Sequence, residues 1–238
     1  MSPLQIKSQI KKIAEEFNLK YNSEWFDYIW ISSRQEILTE FIGDCPDPIY
    51  IKYGKTLNKR IENIDKFVKS LDFKKCLKRV GGQVTSRKNL KKEIKLYNKI
   101  ENKKLRNELL KFHSKIGEKL KKTEYLALIT KTKIPKWEKW IMKHCLRHEW
   151  IHILLEKNKI KFQKINKKYW PYDEGINEYI GAFLDEKLGD LEKFRDKENY
   201  SMEKKYWVYA IKFRELLEDK KTPKERKKTI VDLMGKLK

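Results

Sequence analysis

Two histidines and a glutamate stand close together in the segment His148-Glu149-Trp150-Ile151-His152. On a helix, residues four apart leave the same face one turn apart, so both imidazoles can reach one metal ion. Imidazole nitrogen is a preferred zinc ligand, and a catalytic zinc site keeps one position open for water. Glu149 lies beside the two histidines, where its carboxylate can take a proton from that water. The spacing therefore predicts a zinc site with Glu149 as general base.

A second acidic motif supplies a candidate for the third ligand. Residues 173–179 read Asp173-Glu174-Gly175-Ile176-Asn177-Glu178-Tyr179. Two histidines and one glutamate are a recognised ligand set of catalytic zinc, so Glu174 is the candidate. The chain has four histidines, and chance placement seldom produces the two-histidine motif. The alternative is an amphipathic helix that carries these polar residues on its solvent face and binds no metal.

Together the two motifs resemble the gluzincin group of zinc metallopeptidases, which includes thermolysin-like, aminopeptidase N-like and bacterial collagenase-like enzymes. The resemblance spans about residues 124–187. The spacer between the motifs is longer than in the thermolysin and aminopeptidase types, and Asn177 replaces a small residue, so no subfamily is assigned.

The resemblance implies a role for each polar residue of the motifs. It makes Zn²⁺ the cofactor, with His148, His152 and Glu174 as its ligands and Glu149 as the general base. Glu178 falls where several of these families carry an acid that supports a ligand histidine. A carboxylate that accepts the far N–H of an imidazole fixes its tautomer and raises its basicity.

Helical patterns surround both motifs. Apolar residues recur at three- and four-residue steps after Pro135 and predict a helix over about 136–157. Pro171 predicts a turn into a second helix whose first turns carry Glu174 and Glu178. Asp173 is explained by the preference for acids at a helix N-terminus. The buried side of this second helix is predicted to be Ile176, Ile180, Phe183, Leu184 and Leu188.

The other two histidines are not expected to bind the metal. His144 shares the helical face of His148, but it lies about 12 Å along the axis from His152. Zinc–nitrogen bonds are about 2.0–2.1 Å, so His144 is too far to share the ion. His113 lies in a charged helical pattern and is expected at the surface or at the edge of the core.

The rest of the chain predicts alternating helices and strands. The run 124–130 is a strand, either a sheet edge that holds an extended peptide or an ordinary buried strand. Tyr206 to Leu217 forms a later helix, whose Tyr206 and Tyr209 are unselected candidates for stabilising an oxyanion. Further upstream the patterns predict a helix from Leu4 to Phe17, strands at 28–32 and 49–53, a helix over 57–71 and a polar helix over 87–121.

Composition limits the class of protein. The chain has 238 residues and 39% hydrophobic content, enough for one core divided into an N-terminal region, 1–120, and a catalytic region, 121–238. The longest apolar runs are about six residues, so we expect no membrane contact and a cytoplasmic location. Three cysteines without paired spacing fit a reducing compartment.

Charge is the second prominent feature of the composition. The net charge of +23, from 57 basic and 34 acidic residues, predicts contact with nucleic acid or another polyanion. The same lysines are also explained as solvated helix faces. Basic and aromatic residues interleave at 161–164 and 167–170, beside the motifs, where polyanion or substrate contacts are expected.

These observations predict an α+β, zincin-like protein that is mostly helical with a small mixed sheet. The predicted activity is zinc-dependent hydrolysis of peptide or protein substrates. Two alternatives remain. One is a basic nucleic-acid-binding protein with a structural zinc or no metal, and the other is a protease that acts on proteins bound to nucleic acid.

Overall fold

The computed structural model describes residues 2–27, 29–32, 63, 82–86, 90–91, 94–95, 97–98, 103–130, 141–198 and 201–238. Most of these residues are helical, as the sequence predicts. The predicted strand at 49–53 and, apart from residue 63, the predicted helix at 57–71 lie outside the described residues. So do residues 136–140, the predicted start of the helix that carries the two-histidine motif.

The α-helices of the described residues are α1 (Pro3–Glu16), α2 (Lys103–Leu120), α3 (Arg147–Lys157), α4 (Trp170–Leu184), α5 (Leu191–Lys197), α6 (Ser201–Leu217) and α7 (Pro223–Lys236). A π-helix, Ile141–Leu146, runs directly into α3. Short 3₁₀ helices are Ser23–Phe26, Phe162–Lys164, Lys167–Tyr169 and Leu188–Asp190. The strands are β1 (Ile29–Ser32), β2 (Gly82–Ser86) and β3 (Tyr125–Thr130). Among the described helices, none combines the length and apolar character needed to cross a membrane.

Two compact units make up the chain. The first unit joins Met1–Glu24 to Met142–Lys238, and the second unit is Trp25–Ile141. This grouping differs from the predicted division at residue 120, which follows chain order. The difference arises because α1 packs on α3 and α4, far away in sequence. Such long-range pairing leaves no local signal in the sequence.

In the first unit, α1 is held against the helix that carries the two histidines. A capping box at Ser2 and Gln5 begins α1, whose apolar face, Ile6, Ile10, Ile13 and Ala14, is buried. Lys20, which follows the C-terminus of α1, forms two hydrogen bonds with Asn158. Its backbone N–H donates to the Asn158 side chain (2.8 Å), and its carbonyl oxygen accepts from the same side chain (3.0 Å). Asn158 is the C-cap of α3, so these bonds fix the end of that helix.

Helices α4 and α6 pack closely at Gly175. A Cβ atom at this position would lie 2.3 Å from Cβ of Tyr209 and 3.0 Å from its backbone carbonyl carbon. Only a residue without a side chain permits this approach. Because Gly175 follows Glu174 directly, this contact also fixes the position of Glu174 relative to α6.

The second unit contains a three-stranded mixed sheet of order β1-β3-β2. Strand β3 is parallel to β1 and antiparallel to β2. Both edges of β3 are therefore paired, and its interpretation as a peptide-holding sheet edge is wrong. Helix α2 covers β3, with Phe112, Ile116 and Leu120 packed against Leu126 and Leu128.

The prediction that His113 lies at the surface or at the edge of the core is wrong. His113 is completely buried in α2, where its Nδ1 donates to the Leu109 carbonyl oxygen at 2.9 Å. The rings of Tyr97 and Phe112 pack against its imidazole edge to face. The sequence pattern does not predict this burial, because charged residues surround His113 and the apolar residues on its helix face, such as Ile116, are few and widely spaced.

Candidate metal centre

The two-histidine motif lies wholly on the regular helix α3. The preceding residues form a π-helix, Ile141–Leu146, in place of the α-helix predicted there. Hydrogen bonds from i to i+5 widen a π-helix, and such segments are frequent next to functional sites. Since His148 and His152 lie after this segment, they keep the four-residue spacing that brings their rings together.

Three side chains converge between α3 and α4. Nε2 of His148 lies 3.1 Å from Oε2 of Glu174 and 3.2 Å from Nε2 of His152. The His152 Nε2 atom is 3.4 Å from Oε1 of Glu174. Ligand atoms of the three residues all lie within 4.8 Å of one another. The ligand trio, His148, His152 and Glu174, is therefore brought together as the motifs predict.

Its dimensions match those of a zinc site. Two ligands bound tetrahedrally at about 2.0–2.1 Å from one zinc ion lie about 3.3 Å apart. The shortest separations within the ligand trio are 3.1, 3.2 and 3.4 Å, and the two that involve Glu174 go to its two different carboxylate oxygens. With one ligand atom from each residue, the atoms lie within 4.8 Å of one another. Neutral imidazole nitrogens and a carboxylate are also the donor types that zinc accepts. The ligand trio thus fits Zn²⁺ in both size and chemistry.

A second carboxylate lies behind His148. Oε1 of Glu178, one turn after Glu174 on α4, is 3.4 Å from Nδ1 of His148. The two ring nitrogens of His148 thus face different acids. When Nδ1–H points at Glu178, the lone pair of Nε2 points into the ligand trio, which is the tautomer that a metal requires.

Asn177 adds a contact between the two helices. Its side chain is buried, and Nδ2 lies 3.4 Å from the carbonyl oxygen of His148, to which it donates. The asparagine therefore touches the backbone of a candidate ligand. Its position in the second motif had suggested only a departure from the family pattern.

The electrostatics of the ligand trio reflect mutual attraction. Burial lowers the pKa of His148, but hydrogen bonds and charge attraction from Glu174 and Glu178 outweigh burial and raise it well above 6.5. Burial raises the pKa of Glu174, but the attraction of His152 and hydrogen bonds from both histidines outweigh it and hold this pKa far below the usual range. The two carboxylates thus favour the charged form of His148, and the histidines favour the charged form of Glu174.

Asp173 makes more specific contacts than the preference for acidic residues at a helix N-terminus predicts. Its carboxylate accepts hydrogen bonds from the backbone N–H groups of Phe162 (2.7 Å) and Gln163 (3.0 Å). Burial raises the pKa of Asp173 to about 6, against the opposing effect of these two donors. The aspartate therefore anchors the connection between α3 and α4 next to Glu174.

Two other polar residues of the motif region, Glu149 and His144, are not part of the ligand trio. Glu149 follows His148 on α3 and is 9% exposed. His144 lies in the π-helix and does not belong to the ligand trio. Burial and the nearby charges of Arg147 and Lys143 lower the pKa of His144, which keeps its imidazole neutral.

One pair of residues that the sequence analysis did not identify joins the two helices. The Arg147 guanidinium donates two hydrogen bonds to Asp185, each of 2.8 Å. Arg147 is the first residue of α3 and Asp185 is the C-cap of α4. Lys143 lies 3.7 Å from the same carboxylate. No local motif predicts this pair, since 38 positions separate its members.

The tyrosines considered for oxyanion stabilisation lie on α6. The Tyr209 ring packs against Tyr172, with centroids 4.3 Å apart. Tyr206 packs edge to face against Trp170, with centroids 5.2 Å apart. These contacts place both rings against the first turns of α4, and neither is selected for the oxyanion role.

Comparison with known proteins adds no further assignment. No protein-family model matches the chain, and neither a curated protein nor a solved structure matches it. The interpretation of the site therefore depends on its own geometry and chemistry.

Proposed function

We propose that the protein is a zinc-dependent, zincin-like hydrolase that cleaves peptide bonds. His148, His152 and Glu174 bind the metal in this proposal, and Glu149 is the general base. The observation that carries it is the convergence of three ligand atoms within 4.8 Å of one another. Glu149 follows His148 directly on α3 and is buried.

The number of ligands favours a catalytic role over a structural one. Structural zinc sites usually have four protein ligands, whereas catalytic sites have three and keep one position open. Within the described ranges, the group of potential ligands contains three residues. The set of two histidines and one glutamate is also one of the known catalytic sets.

Each residue around the ligand trio has a task in the proposed reaction. Bound Zn²⁺ would supply a Lewis acid that lowers the pKa of a water molecule and polarises the carbonyl of the substrate. Glu149 takes the proton from the attacking water and delivers it to the leaving amine. Glu178 holds the Nδ1–H of His148, which keeps Nε2 available as a ligand.

The peptide substrate and the zincin-like fold rest on the resemblance of the two motifs to gluzincins. That resemblance concerns a helix with the two histidines and a second helix with the glutamate. Helices α3 and α4 supply both elements in the first unit.

The direct test compares hydrolysis by the zinc-loaded wild type with that of two variants. An unstructured peptide mixture is incubated with each protein, and the products are identified by mass spectrometry. Glu149→Gln should retain zinc and lose cleavage, whereas His148→Ala should lose both. Unchanged cleavage by Glu149→Gln would refute the assigned mechanism, and absence of cleavage by the wild type would refute the peptidase assignment.

The net charge of +23 favours a second candidate function. In this alternative the chain binds nucleic acid and does not hydrolyse peptides. It predicts binding that weakens steeply with salt, because cationic side chains release counterions from phosphates. A protease acting on nucleic-acid-bound proteins would combine both functions, and its cleavage would be stimulated by DNA or RNA.

A further inference from the structure

Three tyrosine rings form a continuous row on the first unit, with a lysine at each end. The Tyr169 and Tyr172 rings meet edge to face, with centroids 5.7 Å apart. Tyr172 contacts Tyr209 at 4.3 Å. Lys168 Nζ lies 5.0 Å from the Tyr169 centroid, and Lys212 Nζ lies 4.7 Å from the Tyr209 centroid. We call these five residues the tyrosine row.

The tyrosine row is accessible to a ligand. Its three rings are half-buried, and both lysines are exposed. Neither lysine forms an ion pair with an acidic side chain in the described part of the chain. Their ammonium groups therefore lie over aromatic faces and remain available to bind an anion.

Positive charge dominates around the tyrosine row. The segment 157–172, which supplies two of the rings and one of the lysines, contains six lysines and no acidic residue. The acids at its two ends are already engaged. Glu156 pairs with Lys161 and Lys164, and Asp173 accepts two backbone N–H groups.

Packing against neighbouring residues fixes the Tyr172 and Tyr209 rings. Phe162 stacks on Tyr172 with centroids 5.3 Å apart, and Gly175 is pressed against Cβ of Tyr209. A binding surface that is already ordered loses little conformational entropy when it takes a ligand. The tyrosine row thus combines ordered aromatic rings with exposed cationic groups at its ends.

We propose that the tyrosine row binds single-stranded nucleic acid. Unpaired bases stack on the two outer rings, Tyr169 and Tyr209, because Phe162 already stacks on the central Tyr172. The Lys168 and Lys212 ammonium groups bind phosphates on either side. A duplex cannot use this surface in the same way, because its bases are already stacked on each other. An acidic peptide matches the lysines but offers no flat group for the outer rings, so the rings favour nucleic acid. This inference does not depend on the proposed hydrolase activity.

The test is fluorescence anisotropy of a labelled oligo(dT) strand titrated with the full chain. EDTA in the buffer removes any contribution of a metal, so the outcome is independent of the ligand trio. Lys168→Glu combined with Lys212→Glu should weaken binding at least tenfold. It should also reduce the slope of log K against log salt by about 1.4, for two lost phosphate contacts at about 0.7 each.

A matched control separates the tyrosine row from overall charge. Lys228→Glu combined with Lys236→Glu changes the net charge by the same amount at two exposed positions of α7. It should weaken binding less than threefold. Equal loss in the two double variants would overturn the proposal, because binding would then follow overall charge.

A third variant tests stacking. Tyr169→Leu keeps an apolar side chain but removes the ring, and it should weaken binding about fivefold or more. Unchanged binding by Tyr169→Leu would overturn the proposal, as would competition by poly-glutamate as effective as that of unlabelled oligo(dT). Absence of any binding by the wild type at low salt would overturn it as well.

Discussion

Asp185→Asn should destabilise the protein far more than a typical change of a surface charge. Asp185 accepts both hydrogen bonds from Arg147, whose side chain is 5% exposed, and is itself 15% exposed. An asparagine of the same shape removes the negative charge and leaves the buried guanidinium without its counterion. Removing one partner of a buried ion pair costs about 3–5 kcal/mol. We expect the free energy of unfolding to fall by about 3 kcal/mol, the lower end of this range, because the Asp185 side chain is partly exposed.

Urea unfolding followed by circular dichroism measures this change. Asp219→Asn is the matched control, because Asp219 also pairs with a lysine but its side chain is 69% exposed. The control should leave the free energy of unfolding almost unchanged, because solvent screens an exposed pair. Replacing both buried partners, as Arg147→Met with Asp185→Leu, should recover most of the loss. If Asp185→Asn behaved like Asp219→Asn, the role of the pair in joining α3 to α4 would be refuted.

Three further predictions concern the same pair, the ligand trio and the contact between α4 and α6. The Arg147 hydrogen bonds lower the pKa of Asp185, so the stability that Asp185 contributes is complete above its unfolded-state pKa of about 3.9 and is lost as pH falls through its folded-state pKa. The free energy of unfolding should therefore depend less steeply on pH below pH 4 in Asp185→Asn than in wild type. Identical pH profiles of the two proteins would contradict this. Glu178→Gln should weaken zinc binding by about 10–100-fold without unfolding the protein, as measured by competition with a chromophoric chelator, and unchanged affinity would remove Glu178 from the site. Gly175→Ala should lower the free energy of unfolding by about 1–3 kcal/mol, because its Cβ would overlap Tyr209; a thermal melt no different from that of wild type would show that α4 and α6 separate easily.

The sequence contains enough information to locate the ligand trio. The four-residue spacing of His148 and His152 requires only that the segment be helical, and α3 is helical there. Glu174 was identified from the composition of a local motif, and Pro171 indicated the start of the helix that carries it. In each case a short stretch of chain determines the relevant geometry.

The contacts that position the ligand trio were not predicted, because they join residues far apart in sequence. Arg147 and Asp185 belong to different helices, and no pattern in either helix indicates their pairing. The same limitation applies to β3, whose apolar run identifies a strand but not its two neighbours. A helical or strand period determines which residues face inward, whereas the partner against which they pack depends on the whole fold.

Asp173 illustrates an intermediate case. Its place near the start of α4 suggested only the preference for acids at a helix N-terminus. Its carboxylate instead accepts hydrogen bonds from the backbone N–H groups of Phe162 and Gln163, in the preceding connection and not in α4 itself. The sequence thus indicated a favourable place for an acid, while the tertiary structure determined which groups it binds.

Zinc content of the purified chain tests the central claim most directly. After zinc loading and dialysis, wild type and His144→Ala should each retain one zinc ion per chain, measured by mass spectrometry of the metal, and His152→Ala should retain none. His144→Ala is the matched control, since it removes a histidine from the same helical segment but outside the ligand trio. Equal zinc content in His152→Ala and wild type, or no bound zinc in wild type, would contradict the proposed metal centre.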